Sequence, residues 1–157
     1  MTHAVIHHGA APSTYTNGAA VVYSYWVTHT VTNGWSDIGY NYLFDKDGNF
    51  YLGRHNPQLP NNDVHGAHSG NSNAYSIGCN FLGDSDAPGT APTEPQVKKC
   101  SQFLAWWFNK KGFNPVSSAN ITLQSGGTGN IPRICGHKDV NIGGTACPGN
   151  MLYALTF

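Results

Sequence analysis

The chain has 157 residues, with eight basic and eight acidic side chains and a formal net charge of zero. This length suits one domain with a sizeable core, so we predict a single domain over residues 1–157. Basic residues occur at most as doublets, which excludes the positive patch that nucleic acid or an anionic membrane surface would require. No stretch reaches the ~18 apolar residues of a membrane span. We expect neither nucleic acid nor membrane as a partner.

The amino-terminal third predicts a strand, a helix and a hairpin. Residues 4–8 are apolar and β-branched, and residues 17–33 carry apolar side chains at roughly helical intervals. Residues 38–44 and 49–54 flank an Asp-Gly turn and predict antiparallel strands. The first of these strands would present on one face Ile38, Tyr40, Tyr42 and Phe44.

The rest of the chain alternates loops with regular elements. Thr93 precedes Gln96 by three residues and predicts a helix start, and Gly112 predicts its end. The other predicted elements, in chain order, are a loop over 55–73, a strand over 76–82, a loop over 117–130, a strand over 131–136 and a helix from Asn150. Strands interleaved with helices indicate an α/β domain with a mixed sheet.

Two segments at opposite ends of the chain can together form a metal site. His7 and His8 end the first predicted strand, and His137 and Cys147 lie in the last predicted motifs. Because side chains alternate along a strand, only one of the two adjacent histidines can reach a given metal. Two imidazoles and a thiolate suit Zn²⁺, and three protein ligands leave a fourth position open, as in catalytic zinc sites.

These motifs resemble the zinc amidase family that includes peptidoglycan recognition proteins, T7 lysozyme-type phage endolysins and type 2 N-acetylmuramoyl-L-alanine amidases. The similar segments follow the family's order from residue 5 to residue 149. They are Val5-Ile6-His7-His8, residues 35–42 with 47–48 and 53–54, Gly66-Ala67-His68, Asn73 with 76–78, residues 136–140 and residues 147–149.

The resemblance implies a central mixed β-sheet flanked by helices and a Zn²⁺ cofactor. It implies hydrolysis of the amide bond between N-acetylmuramic acid and the L-alanine of peptidoglycan stem peptides. The implied metal ligands are His7, His137 and Cys147. Zinc lowers the pKa of water from ~15.7 to ~7 and polarises an amide carbonyl, so such a site needs few further groups.

The resemblance also implies catalytic assistance from Tyr40 and Thr145, and substrate contacts from His68 and Asn73. T7-type members carry lysine where Thr145 stands, which leaves the proton-transfer group open. The single glutamate, Glu94, lies at a predicted helix start, so a His-Glu-x-x-His metalloprotease site is excluded.

Two alternatives stay open beside the amidase. One is a peptidoglycan-binding module without catalysis, and the other is a structural zinc site completed by Cys135 or His8. The small size and the lack of a signal-peptide pattern in the first fifteen residues resemble a phage endolysin. We therefore expect a monomer made in the cytoplasm of the bacterial host that acts on the wall after release. Most of the four cysteines are expected to be buried free thiols.

Overall fold

The computed structural model describes residues 1–9, 11–59, 62–87 and 89–156. Seven strands and four α-helices lie in these ranges. In chain order they are β1 His3–His8, α1 Gly18–Val27, β2 Tyr42–Phe44, β3 Phe50–Leu52, β4 Ser76–Phe81, α2 Glu94–Lys111, β5 Ser118–Thr122, β6 Thr128–Pro132, β7 Ile134–Gly136, α3 His137–Val140 and α4 Asn150–Thr156. A π-helical turn, Thr28–Thr32, continues α1, and a 3₁₀ turn, Gly70–Ala74, precedes β4.

Five strands form one mixed sheet in the order β3-β2-β4-β1-β7. β1 runs parallel to both β4 and β7, β2 runs parallel to β4, and β3 is antiparallel to β2. The predicted α/β fold with a mixed sheet is confirmed. Since Ile6 of β1 is the register partner of Gly136 of β7, the residues that follow them leave the sheet side by side.

Alternation along β1 divides the core between the two faces of the sheet. Ala4 and Ile6 point to the face covered by α2, where they pack with Trp107 and Phe108. Val5 points to the other face and packs with Cys135 under the β5–β6 hairpin. His7 follows Val5 in this alternation, so its side chain lies on the face away from α2. A fully buried large apolar side chain contributes roughly 1.5–3 kcal/mol.

Helix α2 begins and ends where the sequence predicts. Thr93 caps it by accepting a hydrogen bond from the Gln96 backbone N–H. Gly112 ends it in the left-handed conformation at φ 71°, which glycine adopts without steric cost. The Gln96 side chain donates to the carbonyls of Phe44 and Leu82, which joins the first turn of the helix to the sheet.

The predicted strand over 38–44 is only half right, because regular pairing starts at Tyr42. The Asn41 side chain accepts from the Gly78 N–H and donates to the Val64 carbonyl, so it replaces part of the strand ladder. The single face predicted for the strand is therefore wrong. Ile38 packs with Leu43 on the His7 side, whereas Phe44 packs on the α2 side.

The predicted loop over 117–130 is also wrong, since most of it forms the β5–β6 hairpin. Ile121 and Ile131 are its buried anchors, at 2 % and 8 % exposure. Gly126 and Gly127 have positive φ angles in the turn. Most other side chains of the hairpin are polar and at least partly exposed, and this concealed the strand pattern in the sequence.

Two further expectations can be compared with the described residues. All four cysteines are free, and three of them are buried, as predicted. None of the helices in the described ranges is both long and apolar enough to cross a bilayer.

Candidate metal centre

The structure brings together the three predicted metal ligands. His7 lies near the end of β1, His137 begins α3 directly after β7, and Cys147 lies in the loop before α4. One candidate ligand atom from each lies within 4.8 Å of the other two. Neither rival joins this group. Cys135 packs beneath the β5–β6 hairpin, and His8 accepts a hydrogen bond from the Ser85 N–H at 3.0 Å.

Hydrogen bonds at the far side of each imidazole determine which nitrogen faces the site. His7 Nε2 bonds His68 Nδ1 at 3.0 Å, and His7 Nδ1 lies 3.6 Å from Cys147 Sγ. His137 Nε2 bonds Gln124 Oε1 at 2.6 Å. Because an amide oxygen only accepts, His137 carries its proton on Nε2 and keeps the Nδ1 lone pair for a metal.

The residues present fit Zn²⁺. Metal–nitrogen and metal–sulfur bonds of about 2.05 and 2.3 Å at a tetrahedral angle place nitrogen and sulfur about 3.6 Å apart. This equals the observed separation between His7 Nδ1 and Cys147 Sγ, 3.6 Å. Two imidazoles and one thiol also form a donor set that binds zinc in preference to hard cations such as Mg²⁺.

Burial keeps the imidazoles in the neutral form that can donate a lone pair. Burial, followed by the proximity of His137, lowers the pKa of His7 well below its ordinary value. Burial likewise lowers the pKa of His137 to about 4. By contrast, burial raises the pKa of the Cys147 thiol to about 12. A metal that binds here at neutral pH must therefore displace the thiol proton.

Tyr40 lies against the candidate ligands, with its ring centroid 5.3 Å from that of His7. Burial raises the pKa of its phenol, so the hydroxyl stays protonated and can donate at neutral pH. His29 supports this position from the π-helical turn. Its Nδ1 accepts from the Gly39 N–H at 3.1 Å, and its ring packs edge-on against Tyr40 at 5.7 Å. The ring of Trp35 stacks on His29.

Thr145 lies in the loop that carries Cys147. Its Oγ1 accepts a hydrogen bond from the Cys147 N–H at 3.2 Å, while the Lys138 N–H donates to the Cys147 carbonyl at 2.9 Å. These bonds fix the backbone around the thiol. The Thr145 hydroxyl proton is not used in the bond to Cys147 and can be donated elsewhere.

The two predicted substrate residues are coupled to each other. Asn73 Oδ1 accepts from the backbone N–H groups of His68 and Ser69, which shapes the loop that brings His68 to His7. Burial lowers the pKa of His68 to about 3. His68 is therefore a neutral partner of the His7 ring, and the substrate contacts of His68 and Asn73 stay predictions.

Sequence reasoning missed three residues around this centre: Gln124, His29 in its supporting role, and Asn80. Gln124 belongs to the polar segment that was predicted to be a loop. His29 falls at a helical interval with the apolar residues of α1. This spacing alone does not tell whether His29 supports Tyr40 or only packs in the core. Asn80 did leave a signal, because it is a polar side chain inside the otherwise largely apolar run of β4.

Comparison with known proteins extends over nearly the whole chain. The N-acetylmuramoyl-L-alanine amidase family matches residues 1–150. Peptidoglycan-recognition protein SC2 of Drosophila melanogaster is 33% identical over 155 residues, which cover 98% of this chain and 71% of that protein. Protein SC1a of the same organism is 32% identical over 155 residues, covering 98% and 70%.

Solved structures agree with the fold. The ectodomain complex of peptidoglycan recognition proteins LCa and LCx with tracheal cytotoxin matches at a TM-score of 0.75 and 28% identity, over 99% of this chain and 80% of that chain. Peptidoglycan recognition protein LE, also in complex with tracheal cytotoxin, matches at 0.74 and 25% identity, over 98% and 77%. The chain therefore belongs to the type 2 N-acetylmuramoyl-L-alanine amidase family, together with the peptidoglycan recognition proteins.

Proposed function

We propose that the protein is a zinc-dependent amidase that hydrolyses the bond between N-acetylmuramic acid and L-alanine in peptidoglycan. The observation that carries this proposal is the cluster of His7, His137 and Cys147 in a chain of this family, in which His7 Nδ1 and Cys147 Sγ lie at the separation expected of two tetrahedral zinc ligands. A cluster that held a purely structural zinc would need a fourth protein ligand. Among the described residues the cluster has three members.

The chain's own groups divide the work of holding the metal. His7 and His137 would bind Zn²⁺ through Nδ1, and Cys147 through Sγ. His68 and Gln124 hold the two imidazoles from behind, which directs them at the site, and the Gln124 oxygen also fixes the tautomer of His137. When bound, the ion supplies a Lewis acid for the amide carbonyl and lowers the pKa of water.

Tyr40 and Thr145 are the proposed assisting groups. The neutral Tyr40 phenol can donate a hydrogen bond to the carbonyl oxygen as negative charge develops there, an effect worth roughly 10²–10³ in rate for one donor. Thr145 can donate its hydroxyl proton while its oxygen accepts from the Cys147 N–H. Both assisting groups are thus neutral donors, which suits a developing oxyanion better than a carboxylate would.

Peptidoglycan is the proposed partner. Two solved relatives bind tracheal cytotoxin, which for protein LE is described as monomeric diaminopimelic acid-type peptidoglycan. The neutral charge of this chain suits a glycopeptide better than a polyanion. His68 and Asn73 are proposed to contact the stem peptide from the loop beside His7.

The biological setting is part of the same proposal. We infer an endolysin that acts as a monomer, is made in the cytoplasm of the bacterial host and reaches the wall after release. The support is the resemblance of the motifs to T7-type endolysins. This setting can be tested in one bacterial strain. Lysis by protein added outside the cells is compared with lysis by protein expressed inside them.

The first experiment is digestion of purified peptidoglycan with and without a zinc chelator, followed by mass spectrometry of the soluble products. Free stem peptides beginning with L-alanine, lost on chelation and restored by Zn²⁺, are expected. Cys147→Ser should lose zinc and activity together, whereas Cys100→Ser, at a buried thiol on the sheet-facing side of α2, is the matched control. Binding to sacculi without released peptide would refute the amidase and identify a recognition module.

A further inference from the structure

Asn80 is a buried side chain whose polar atoms are both unpaired. It lies on β4 and is 0 % exposed. Neither its Oδ1 nor its Nδ2 has a hydrogen-bond partner among the described residues. Buried polar side chains are nearly always paired, so an amide left wholly unpaired requires an explanation.

Its position in the sheet places this amide next to the candidate metal centre. Asn80 is the register partner of His7 on β1 and of Leu43 on β2. Register partners in a parallel sheet point to the same face, so the amide lies on the face that carries the His7 imidazole. Tyr40 packs on that same face against Leu43.

The Tyr40 phenol lies beside the same imidazole. Its ring centroid is 5.3 Å from that of His7, and His7 is the register partner of Asn80. The Asn80 amide and the Tyr40 ring therefore both lie next to the His7 side chain, on one face of the sheet. Tyr40 is thus the hydroxyl-bearing neighbour toward which the amide can act.

Packing alone does not explain an asparagine at this position. Leu43 and Leu82 are buried apolar residues of the same cluster, and leucine has nearly the shape of asparagine. Leucine at position 80 would keep the branching of the side chain without burying an unpaired amide, which destabilises a fold. The amide is therefore expected to make a hydrogen bond in another state of the protein, one that the structure does not contain.

We propose that Asn80 is a positioning residue for Tyr40: in the substrate-bound site its Nδ2–H donates to the Tyr40 oxygen, so that the Tyr40 hydroxyl proton is directed at the scissile carbonyl. Successive hydrogen bonds of this kind polarise one another and strengthen the terminal donor. This inference rests on the proposed amidase function, in which Tyr40 is the donor.

The test begins with Asn80→Leu, measured for stability, zinc content, kcat and KM on a soluble muropeptide. Urea unfolding of the metal-free variant should show stability equal to or above that of the wild type. Turnover should fall tenfold or more, with KM and zinc content unchanged. Cys79→Val, at a buried residue one position earlier that faces α2, is the control and should keep wild-type turnover.

A double-mutant cycle separates positioning from a general structural effect. In a Tyr40→Phe background, Asn80→Leu should cause no further loss of kcat, since no hydroxyl is left to direct. In the metal-free protein saturated with muropeptide and labelled at tyrosine Cζ, Asn80→Leu should shift the Tyr40 resonance and Cys79→Val should not.

Wild-type turnover in Asn80→Leu, or an equal loss in both backgrounds, would overturn the assignment of Asn80 while leaving an active amidase. A wild-type protein that releases no stem peptide would instead overturn the proposed function, and this inference with it.

Discussion

Removal of the Gln124 side-chain oxygen should weaken zinc binding without unfolding the protein. Gln124 Oε1 accepts the His137 Nε2 proton at 2.6 Å. Gln124→Leu leaves that N–H without its acceptor and lets the imidazole rotate or change tautomer. The backbone of Gln124 stays anchored, because its N–H donates to the Val140 carbonyl at 2.8 Å and its carbonyl accepts from the Asn71 N–H at 3.3 Å.

The expected size follows from the role of this bond. Loss of a hydrogen bond behind a metal-binding histidine lowers metal affinity by about 10–100-fold. This corresponds to about 1.4–2.7 kcal/mol, somewhat more than the ~1 kcal/mol of an ordinary hydrogen bond, because the bond also orients the ligand. The free energy of unfolding of the metal-free protein should change by only about 1 kcal/mol.

Competition with a chromophoric chelator at fixed pH measures the zinc dissociation constant directly. Gln124→Glu keeps an acceptor for the His137 proton and should retain wild-type affinity or exceed it. Asn130→Ala removes an exposed side-chain bond to Asn120 on the same hairpin and should have no effect. Wild-type zinc affinity in Gln124→Leu would refute the view that this bond directs His137 Nδ1 at the metal.

Three other outcomes are expected. Because burial raises the pKa of the Cys147 thiol to about 12, zinc binding should release one proton, and affinity should rise about tenfold per pH unit near neutrality; calorimetry in buffers of different ionisation enthalpy counts the proton. Tyr40→Phe should lower turnover by about 10²–10³-fold at unchanged zinc content, and equal turnover would remove the phenol from the mechanism. Burial alone raises the pKa of Asp63, but hydrogen bonds from Lys111 and Trp107 outweigh it and lower that pKa. The ionised carboxylate therefore stabilises the fold above its ordinary pKa, and this contribution is lost as pH falls through the depressed value. Asp63→Asn should cost about 1–3 kcal/mol in urea unfolding at neutral pH and less in acid, and an equal cost at both pH values would contradict this.

The grouping of His7, His137 and Cys147 could be predicted because each residue lies in a short local motif that resembles the family's. His7 lies one residue before the end of a β-branched strand, His137 begins α3, and Cys147 lies in the glycine-rich loop that follows α3. Helix α2 could be predicted for a similar reason, since a capping Thr93 and a terminal Gly112 are signals that act within a single turn. Local chemistry of this kind does not depend on the rest of the fold.

The β5–β6 hairpin could not be predicted, because long-range packing decides its structure. Its sequence is polar, and only Ile121 and Ile131 are buried enough to mark an inner face. The strand predicted for the residues before Tyr42 was wrong for the opposite reason. They carry an alternating apolar pattern, but the Asn41 side chain accepts from the Gly78 N–H of β4 in place of a backbone carbonyl and interrupts the regular pairing.

The groups that support the centre come from the segments that the sequence describes least well. His68 reaches His7 across 61 positions of sequence from an irregular loop. Gln124 reaches His137 from the turn between β5 and β6, and His29 supports Tyr40 from a π-helical turn. Each is a common residue type in an unremarkable local sequence, so only the fold of the chain brings it to the candidate site. Variants at these positions should therefore change metal binding or turnover more than stability, whereas variants of buried apolar residues should do the reverse.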